Sequence, residues 1–474
     1  MTKSTRRGLL KQEVPLVGLL LVCQNGKPLC VPLPFSMGTI ELGRGTLSKH
    51  VDVKMSRHHA RVRFDGRCFF VEDLGSHNGT HVDGVRLEEG RAFPNPRVLR
   101  VGDSLFVFSA DLRPIQSAGI RRDGEFVHGP ALQAVYERTR NMACFSDILH
   151  ICGESGVGKE GVARAAHAAG AHSNGPFVAV NCATVAEGVA ERLLFGARRG
   201  AYSGSVADAV GLLQAANGGT LFLDEIAELP LSVQAKLLRA VESHEVLPLG
   251  SNKPVPVNLH LYSATHKKLR AEVHHGRFRE DLYFRIGRPD ICLPPLRQRM
   301  EEIPWLVDLA LRAVSREITP QLSLIELCLL RYWPGNVREL LAEIRIAGLT
   351  ALAAKRNTVE HSDLSEDAGR RFSSSPHSPP FATSIPQPEA PRSSPPLAAS
   401  VPVPPPTSTV PAHTSAPLPP APPPTRELIE DTLRKEEGNI SRAARALRLH
   451  RTQLKRWLQR FGLAGSSANE DLQD

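Results

Sequence analysis

The 474-residue chain contains no apolar run approaching the ~18–20 residues that a membrane-spanning helix needs, which excludes a helical membrane anchor within it. It has no CxxC pair and no Cys/His spacing of the kind that holds zinc, which excludes a zinc-finger or ribbon module. No internal repeat is visible, so a repeat architecture is set aside. Its eight cysteines are scattered, at 23, 30, 68, 144, 152, 182, 292 and 328, and read as small buried hydrophobes of a reducing compartment. The start, MTKSTRRGLLK before VPLVGLLLVC, looks at first like an export signal ending at Cys23. Asn25-Gly26 between LLLVC and LCVPL instead predicts the first strand of a hairpin, and a cytoplasmic protein.

Of charge there is no shortage. The 58 Lys+Arg against 49 Asp+Glu give +9 and a pI near 9.3, a balance that favours nucleic acid only if it is clustered. Length alone suggests roughly three domains.

Residues 153–160 read GESGVGKE, and 218–226 read GGTLFLDEI. In the first stretch Gly153, Gly156 and Gly158 permit a backbone that points successive N–H groups at phosphate oxygens, with Glu154, Ser155 and Val157 between them. Lys159 reaches the β/γ-phosphates. The apolar run 148–152 before it and a helical pattern after it supply the strand–loop–helix context that the motif requires. Asp224 and Glu225 end the second stretch. Glu160 stands where the general phosphate-loop pattern has Ser or Thr, so Mg2+ coordination leans on Asp224, waters and the nucleotide, and Glu225 is the candidate to orient the attacking water. The pair of motifs predicts a nucleoside-triphosphate site with ATP and Mg2+ as its occupants.

The pattern along the chain predicts four segments. Residues 1–116, with short alternating apolar runs between Gly, Asn and Asp turns, read as an antiparallel β-sandwich. Residues 126–366 alternate strand-like runs with helices, the signature of an α/β parallel sheet. Their last part, about 300–366, reads as a wholly helical lid. Residues 372–424 hold about half of the chain's 38 prolines and read as a disordered linker rich in Pro, Ser and Thr. Residues 425–463 regain helical periodicity as a small all-α domain.

Each folded segment resembles a known domain. GRG (43–45), SRHHA (56–60) and GSHNGT (75–80) resemble the forkhead-associated (FHA) signature. The resemblance implies phosphothreonine binding, with Arg44, Ser56 and Arg57 donating to the phosphate and Asn78 holding the peptide backbone. His59 matches a family histidine that packs rather than binds.

The central segment resembles the AAA+ domain of bacterial enhancer-binding proteins, the activators of sigma-54 RNA polymerase. FVAVNCA (177–183) matches the strand whose Asn, here Asn181, couples nucleotide to the catalytic glutamate. LYSATHKKL (261–269) matches sensor I, with Thr265 and, in place of the more frequent Asn, His266. FREDLYFRI (278–286) places Arg279 and Arg285 as arginine fingers for a neighbouring subunit, and WPGNVREL (333–340) makes Arg338 the sensor II arginine. The resemblance thus implies a ring of copies, a hexamer as in that family. Where the family carries GAFTGA on its sigma-54 contact loop, Gly200, Ala201, Tyr202, Ser203, Gly204 and Ser205 read GAYSGS. The changes at Tyr202 and Ser203 keep an aromatic ring and a hydroxyl, Ser205 stands in place of the last Ala, and the glycines are retained, so contact with sigma-54 is expected to survive.

TRELIEDTLRKEEGNISRAARALRLHRTQLKRWLQRFGL (425–463) resembles the Fis-type helix-turn-helix of the same activators. Ser441 to Leu463 carries seven Lys/Arg and no acidic residue, which suits a phosphate backbone. Arg451, Thr452, Gln453, Lys455 and Arg456 are the candidates to touch enhancer DNA. Together the resemblances imply an ATP-driven, sigma-54-dependent activator that answers a phosphothreonine protein or Ser/Thr kinase. The alternative is a sigma-54-independent DNA-binding regulator or repressor whose ATPase sets only its oligomerisation.

Overall fold

The computed structural model describes residues 15–47, 50–124, 126–201 and 207–371, together with Ile429, Asp431, Thr432, Arg434, Ala443 and Leu454. Residues 1–380 and 381–474 are separate compact units.

Asn25 and Gly26 take φ values of 50° and 73°, the left-handed pair that a two-residue hairpin turn demands. They join Gly18–Gln24 to Lys27–Pro34. These strands open a six-stranded antiparallel sheet that continues through Ser104–Ser109, Val98–Val101, Thr80–Val82 and Val85–Arg86. Thr39–Leu42, Ala60–Phe64, Phe69–Asp73 and Arg91–Phe93 form the facing sheet. Leu19, Leu21, Leu99 and Phe106 meet Leu42, Val62 and Val71 in the sandwich core.

All seven residues of Gly18–Gln24 are buried, whereas a sandwich strand ordinarily keeps one face in water. The outer face, with Leu20, Val22, Val98 and Leu105, belongs to one core with Leu306, Val307, Ile325 and Leu329 of the helical region near the C-terminal end of the same unit. Each such side chain contributes roughly 1.5–3 kcal/mol on burial. Two arginines fix the seam. Arg97 donates from Nη1 to the Leu330 carbonyl and from Nη2 to the Leu329 carbonyl, both at 2.7 Å, so a cation sits on the negative end of the helix Leu322–Leu330. Arg100 Nε lies 2.9 Å from Glu326 Oε2.

The central sheet has five parallel strands in the order Phe177–Asn181, Thr220–Asp224, His260–Thr265, Ile148–Cys152, Asp290–Cys292. Their near-continuous apolar runs fit a sheet covered on both faces. Pro130–Ala143 and Lys159–Ala169 share a core with Leu149 and Ile151. Leu231–Ser243 and Glu280–Ile286 share another with Leu221 and Leu223. The lid holds the helices Ile303–Val314, Leu322–Leu330 and Asn336–Ala353. It is not wholly helical: Thr319–Pro320 and Thr358–Val359 pair in parallel, and strands of two residues carry no periodicity to read.

The cysteines require a correction. Cys23, Cys182 and Cys328 are buried as expected, and burial pushes each thiol up to about 12, whereas Cys30 and Cys68 are half-buried and Cys144 is exposed. Cys152 and Cys292, however, are in-register neighbours on adjacent strands and form a disulfide. A separation of 140 residues hides this pairing until the strand order is known.

Replacing Arg97 by Ala strips the charge-assisted bonds from two carbonyls, at an expected cost of about 1.5–3 kcal/mol. Hydrogen exchange across 322–331 should accelerate, while exchange in the parallel sheet should not. A second expectation concerns acid. His150 is buried, its Nδ1 2.9 Å from Ser263 Oγ, and burial lowers its pKa from 6.5 to about 4, with Arg288 and Lys159 adding to the fall and Asp290 opposing it. The native state therefore binds fewer protons than the unfolded chain between these values. The stability is complete above pH 6.5 and is lost as pH falls towards 4, by up to about 3 kcal/mol. Thermal midpoints of wild type should drop below those of His150→Gln across that window, relative to their difference at pH 8.

Candidate nucleotide and phosphopeptide sites

Between the parallel sheet and the lid lies a cavity of about 740 Å³, lined by Ser155 to Gly161, Asn181, Asp224, Glu225, His266 and Arg338. The phosphate loop leaves the strand Ile148–Cys152 and enters the helix Lys159–Ala169. Gly156 and Gly158 take φ of 72° and 105°, and a Cβ on Gly156 would meet the Gly335 carbonyl at 2.1 Å. Only glycine fits there.

Lys159 is 6% exposed. Its Nζ donates to the Gly153 carbonyl and to Glu225 Oε1, each at 3.1 Å. Glu225 Oε2 accepts from Thr265 Oγ1 at 3.1 Å and from the His266 backbone N–H at 3.2 Å, and lies 2.7 Å from His266 Nδ1. Burial raises the Glu225 pKa, but Lys159 and His266 outweigh it and the net shift is downwards. Burial raises Asp224, with Lys159 opposing and the charge of Glu225 reinforcing it. Glu225 also sits in the left-handed region, at φ 52°, a conformation that costs a non-glycine residue energy and that concentrates at functional sites.

The structure thus brings Lys159, Asp224, Glu225, Thr265 and Arg338 together. Arg338 Nη1 is 3.4 Å from Ser155 Oγ. Asn181 lines the cavity, but its Oδ1 accepts from the Ala183 N–H; the side chain bonded to Glu225 is His266. Glu160 pairs with Arg164 on the exposed side, and Glu154 with Arg297. Of the acidic groups at the phosphate loop, Asp224 is therefore the one whose carboxylate has no ion pair in the described structure, a donor that fits Mg2+. Neither Arg279 nor Arg285 lines this cavity. Arg279 pairs with Asp281 at 2.7 Å, and Arg285 faces a separate hollow with Arg288 and His244.

Sequence reasoning missed part of the wall. Val127, His128 and Tyr136 line the same cavity, Tyr136 beside Gly161, and no motif marks them. Asn336 was legible inside WPGN yet unnamed: its Nδ2 donates to Glu154 Oε2 at 3.1 Å and to the Ser155 carbonyl at 3.0 Å, and its Oδ1 accepts from the Leu296 N–H.

At the FHA loops the expected residues also meet. Arg44 donates from Nε to the Met55 carbonyl and from Nη2 to the Val53 carbonyl, both at 3.1 Å. Asn78 Nδ2 donates to the Lys54 carbonyl at 2.6 Å, and Ser56 Oγ accepts from the His77 N–H at 3.2 Å. Arg57 is exposed beside them. Fully buried His59 accepts from the Ser56 N–H on Nδ1 and bonds the Gly79 carbonyl through Nε2, a packed structural residue. Gly200 and Ala201 are described, whereas Tyr202, Ser203, Gly204 and Ser205 lie outside the described residues. So do Arg451, Thr452, Gln453, Lys455 and Arg456, and the segment 372–424. Ile429, Ala443 and Leu454, one from each expected helix of the last domain, are buried.

A phosphate loop, paired carboxylates and a helical lid around one cavity define an AAA+ ATPase domain. Residues 126–291 match the sigma-54 interaction domain, 40–107 the FHA domain and 426–461 the bacterial regulatory protein, Fis family. The chain thus unites an FHA domain, a sigma-54 interaction domain of the AAA+ class and a Fis-type segment, the combination that its motifs resemble.

The Nif-specific regulatory protein of Azotobacter vinelandii is 42% identical over 217 residues, 45% of this chain and 42% of that protein. The sigma54-dependent transcriptional activator SfnR of Pseudomonas putida is 40% identical over 236 residues, 48% of this chain and 63% of that protein. The transcriptional regulatory protein GlrR of Escherichia coli is 39% identical over 224 residues, 46% of this chain and 50% of that protein. The chain spans about half the length of these curated relatives. Among solved structures, NtrX from Brucella abortus overlaps 71% of this chain and 69% of its own at 26% identity, with a TM-score of 0.48.

Lys159→Ala removes the buried cation that the phosphate loop encloses. Affinity for a fluorescent ATP analogue should fall by roughly tenfold to a hundredfold, as loss of charge-assisted bonds implies. The circular-dichroism spectrum should not change.

Proposed function

We propose that this protein is a sigma-54-dependent transcriptional activator that binds enhancer DNA through its Fis-type domain and couples ATP hydrolysis, in a ring of copies, to opening of the closed polymerase complex. The observation that carries the reading is the resting ion pair between Lys159 and Glu225. The same lysine is the group that a triphosphate recruits, so its transfer to the β/γ-phosphates releases one carboxylate oxygen of Glu225 to orient water. Thr265 and His266 keep hold of the other oxygen. Asp224 would hold Mg2+, which would neutralise phosphate charge. Arg338 comes from the lid and reports its closure.

The place of Arg279 and Arg285 outside their own chain's cavity supports their use as fingers in a neighbour's site, the hexameric ring of the resemblance. A finger given in trans stabilises transition-state charge, so Arg279→Ala should leave nucleotide binding intact and lower turnover by about 10³. The convergence of Arg44, Ser56 and Asn78 on the segment 53–57 supports a phosphothreonine site on the FHA domain. Its seam with the lid supplies a route by which a bound phosphoprotein biases lid closure.

The test is open-complex formation by purified protein with sigma-54 RNA polymerase on a supercoiled sigma-54-dependent promoter, with ATP, with a non-hydrolysable analogue, and with Glu225→Gln. Opening that needs hydrolysis and disappears in Glu225→Gln is the expected result. Vigorous hydrolysis without opening would sink the activator reading in favour of a sigma-54-independent regulator, and would trace to GAYSGS.

A further inference from the structure

The strand that feeds the phosphate loop ends at Cys152, and the next residue is Gly153, whose carbonyl accepts from Lys159 Nζ. The edge strand Asp290–Cys292 ends beside it, in register, and pairs with no other strand of its sheet. From Cys292 the chain leaves the sheet for the lid. Leu293 N–H donates to the Cys152 carbonyl at 2.8 Å, and a Cβ on Gly153 would touch Leu293 at 3.3 Å. Leu296 N–H then bonds Asn336, and Arg297 pairs with Glu154 of the phosphate loop. The disulfide between Cys152 and Cys292 therefore staples the first residue of the crossing from core to lid onto the root of the phosphate loop. Cys292 is exposed and Cys152 half-buried, so the bond is open to small reagents. Cys23, Cys182 and Cys328 are sealed in cores.

We infer that Cys152 and Cys292 form a reversible oxidation site, and that closing the disulfide restrains the core-to-lid crossing and slows ATP turnover. The chemistry needs a peroxide as oxidant. The Cys292 thiolate attacks one peroxide oxygen, the O–O bond breaks, and a sulfenic acid forms as water or an alcohol leaves. Cys152 sulfur then attacks the sulfenyl sulfur, the S–O bond breaks, the S–S bond forms, and water carries away the thiol proton. Two thiols lose two electrons and two protons in total. A dithiol reductant reverses the bond through a mixed disulfide. Asp290, whose carboxylate lies within 4.8 Å of both sulfurs, makes a thiolate–carboxylate metal site the competing occupant of the reduced pair.

The effect on turnover rests on the ATPase reading; the oxidation site itself does not. Full-length protein would be treated with hydrogen peroxide or dithiothreitol. Alkylation and peptide mass spectrometry would then report each cysteine, and ATP hydrolysis and nucleotide affinity would be measured in parallel. Peroxide should join Cys152 to Cys292 and lower turnover about tenfold, as misplacement of a reacting geometry by a fraction of an ångström does. Dithiothreitol should restore it, while Cys152→Ser and Cys292→Ser should keep the reduced rate under peroxide.

A verified disulfide with the reduced rate of turnover would overturn the switch. If no disulfide forms, the site is refuted. One zinc per chain that protects both thiols and is lost in Cys292→Ser would refute it in favour of the metal. A reduced protein with no turnover at all would count against the ATPase reading, and in that case lid protease sensitivity unchanged by oxidation would overturn the restraint separately.

Discussion

The amide of Asn336 ties the phosphate loop, the core-to-lid crossing and the lid to one another. Fully buried and left-handed at φ 52°, it bonds the phosphate loop at Glu154 and Ser155 with its nitrogen and the core-to-lid crossing at Leu296 with its oxygen. A buried amide with every bond made is worth keeping, and one left half-satisfied is costly. Lid, crossing and phosphate loop are therefore coupled: displacing one relative to the others leaves buried polar groups without partners. Glu339 adds to the constraint by accepting from the Gly335 and Gly369 N–H groups, which ties the start of the helix Asn336–Ala353 to the end of the lid.

The helices of that lid also pack against the FHA domain. A flexible joint between the two would show polar facing surfaces and few shared contacts. Here they share an apolar core, and Arg97 and Arg100 pin its edge. Any force on the FHA loops that carry Arg44, Ser56 and Asn78 is thus delivered to a packed body, not a tether, and that body contains Asn336 and Arg338. Linkage would make any coupling across this seam reciprocal: if a ligand of the FHA domain shifts nucleotide affinity, nucleotide shifts the affinity for that ligand by the same factor.

Most of this architecture was legible because its parts are local. Asn25-Gly26 specifies its turn by left-handed geometry, and GESGVGKE specifies its loop by the absence of Cβ atoms. The run LLLVC also contained more than a strand. Its lack of polar alternation was the trace of burial on both faces, although alternation alone cannot say what covers the second face. Contacts between distant segments were not legible. The Cys152–Cys292 pairing depends on strand order, and Val127, His128 and Tyr136 reach the cavity from a short strand and a helix that no motif marks. Asn181 was placed beside the catalytic glutamate by resemblance, and its side chain instead turns to its own backbone. The departure that explains this was visible as His266, which is long enough to bond the Glu225 carboxylate itself.

The contacts of Glu225 also order the events at the site. Its two oxygens are held from opposite sides, one by Lys159 and one by Thr265 with His266. A triphosphate competes only for Lys159, because only that lysine sits on the phosphate loop. In the proposed mechanism binding would break one side of the clamp and leave the other, so the carboxylate would gain an oxygen for water without losing its position. Under the proposed function Arg338, on the first turn of the helix that Asn336 opens, would be drawn to the same phosphates and would pull on the lid, whose core the FHA domain shares. In that reading glutamate release and lid closure would share one cause, the arrival of phosphate charge, and the shared apolar core would carry the change to the FHA domain.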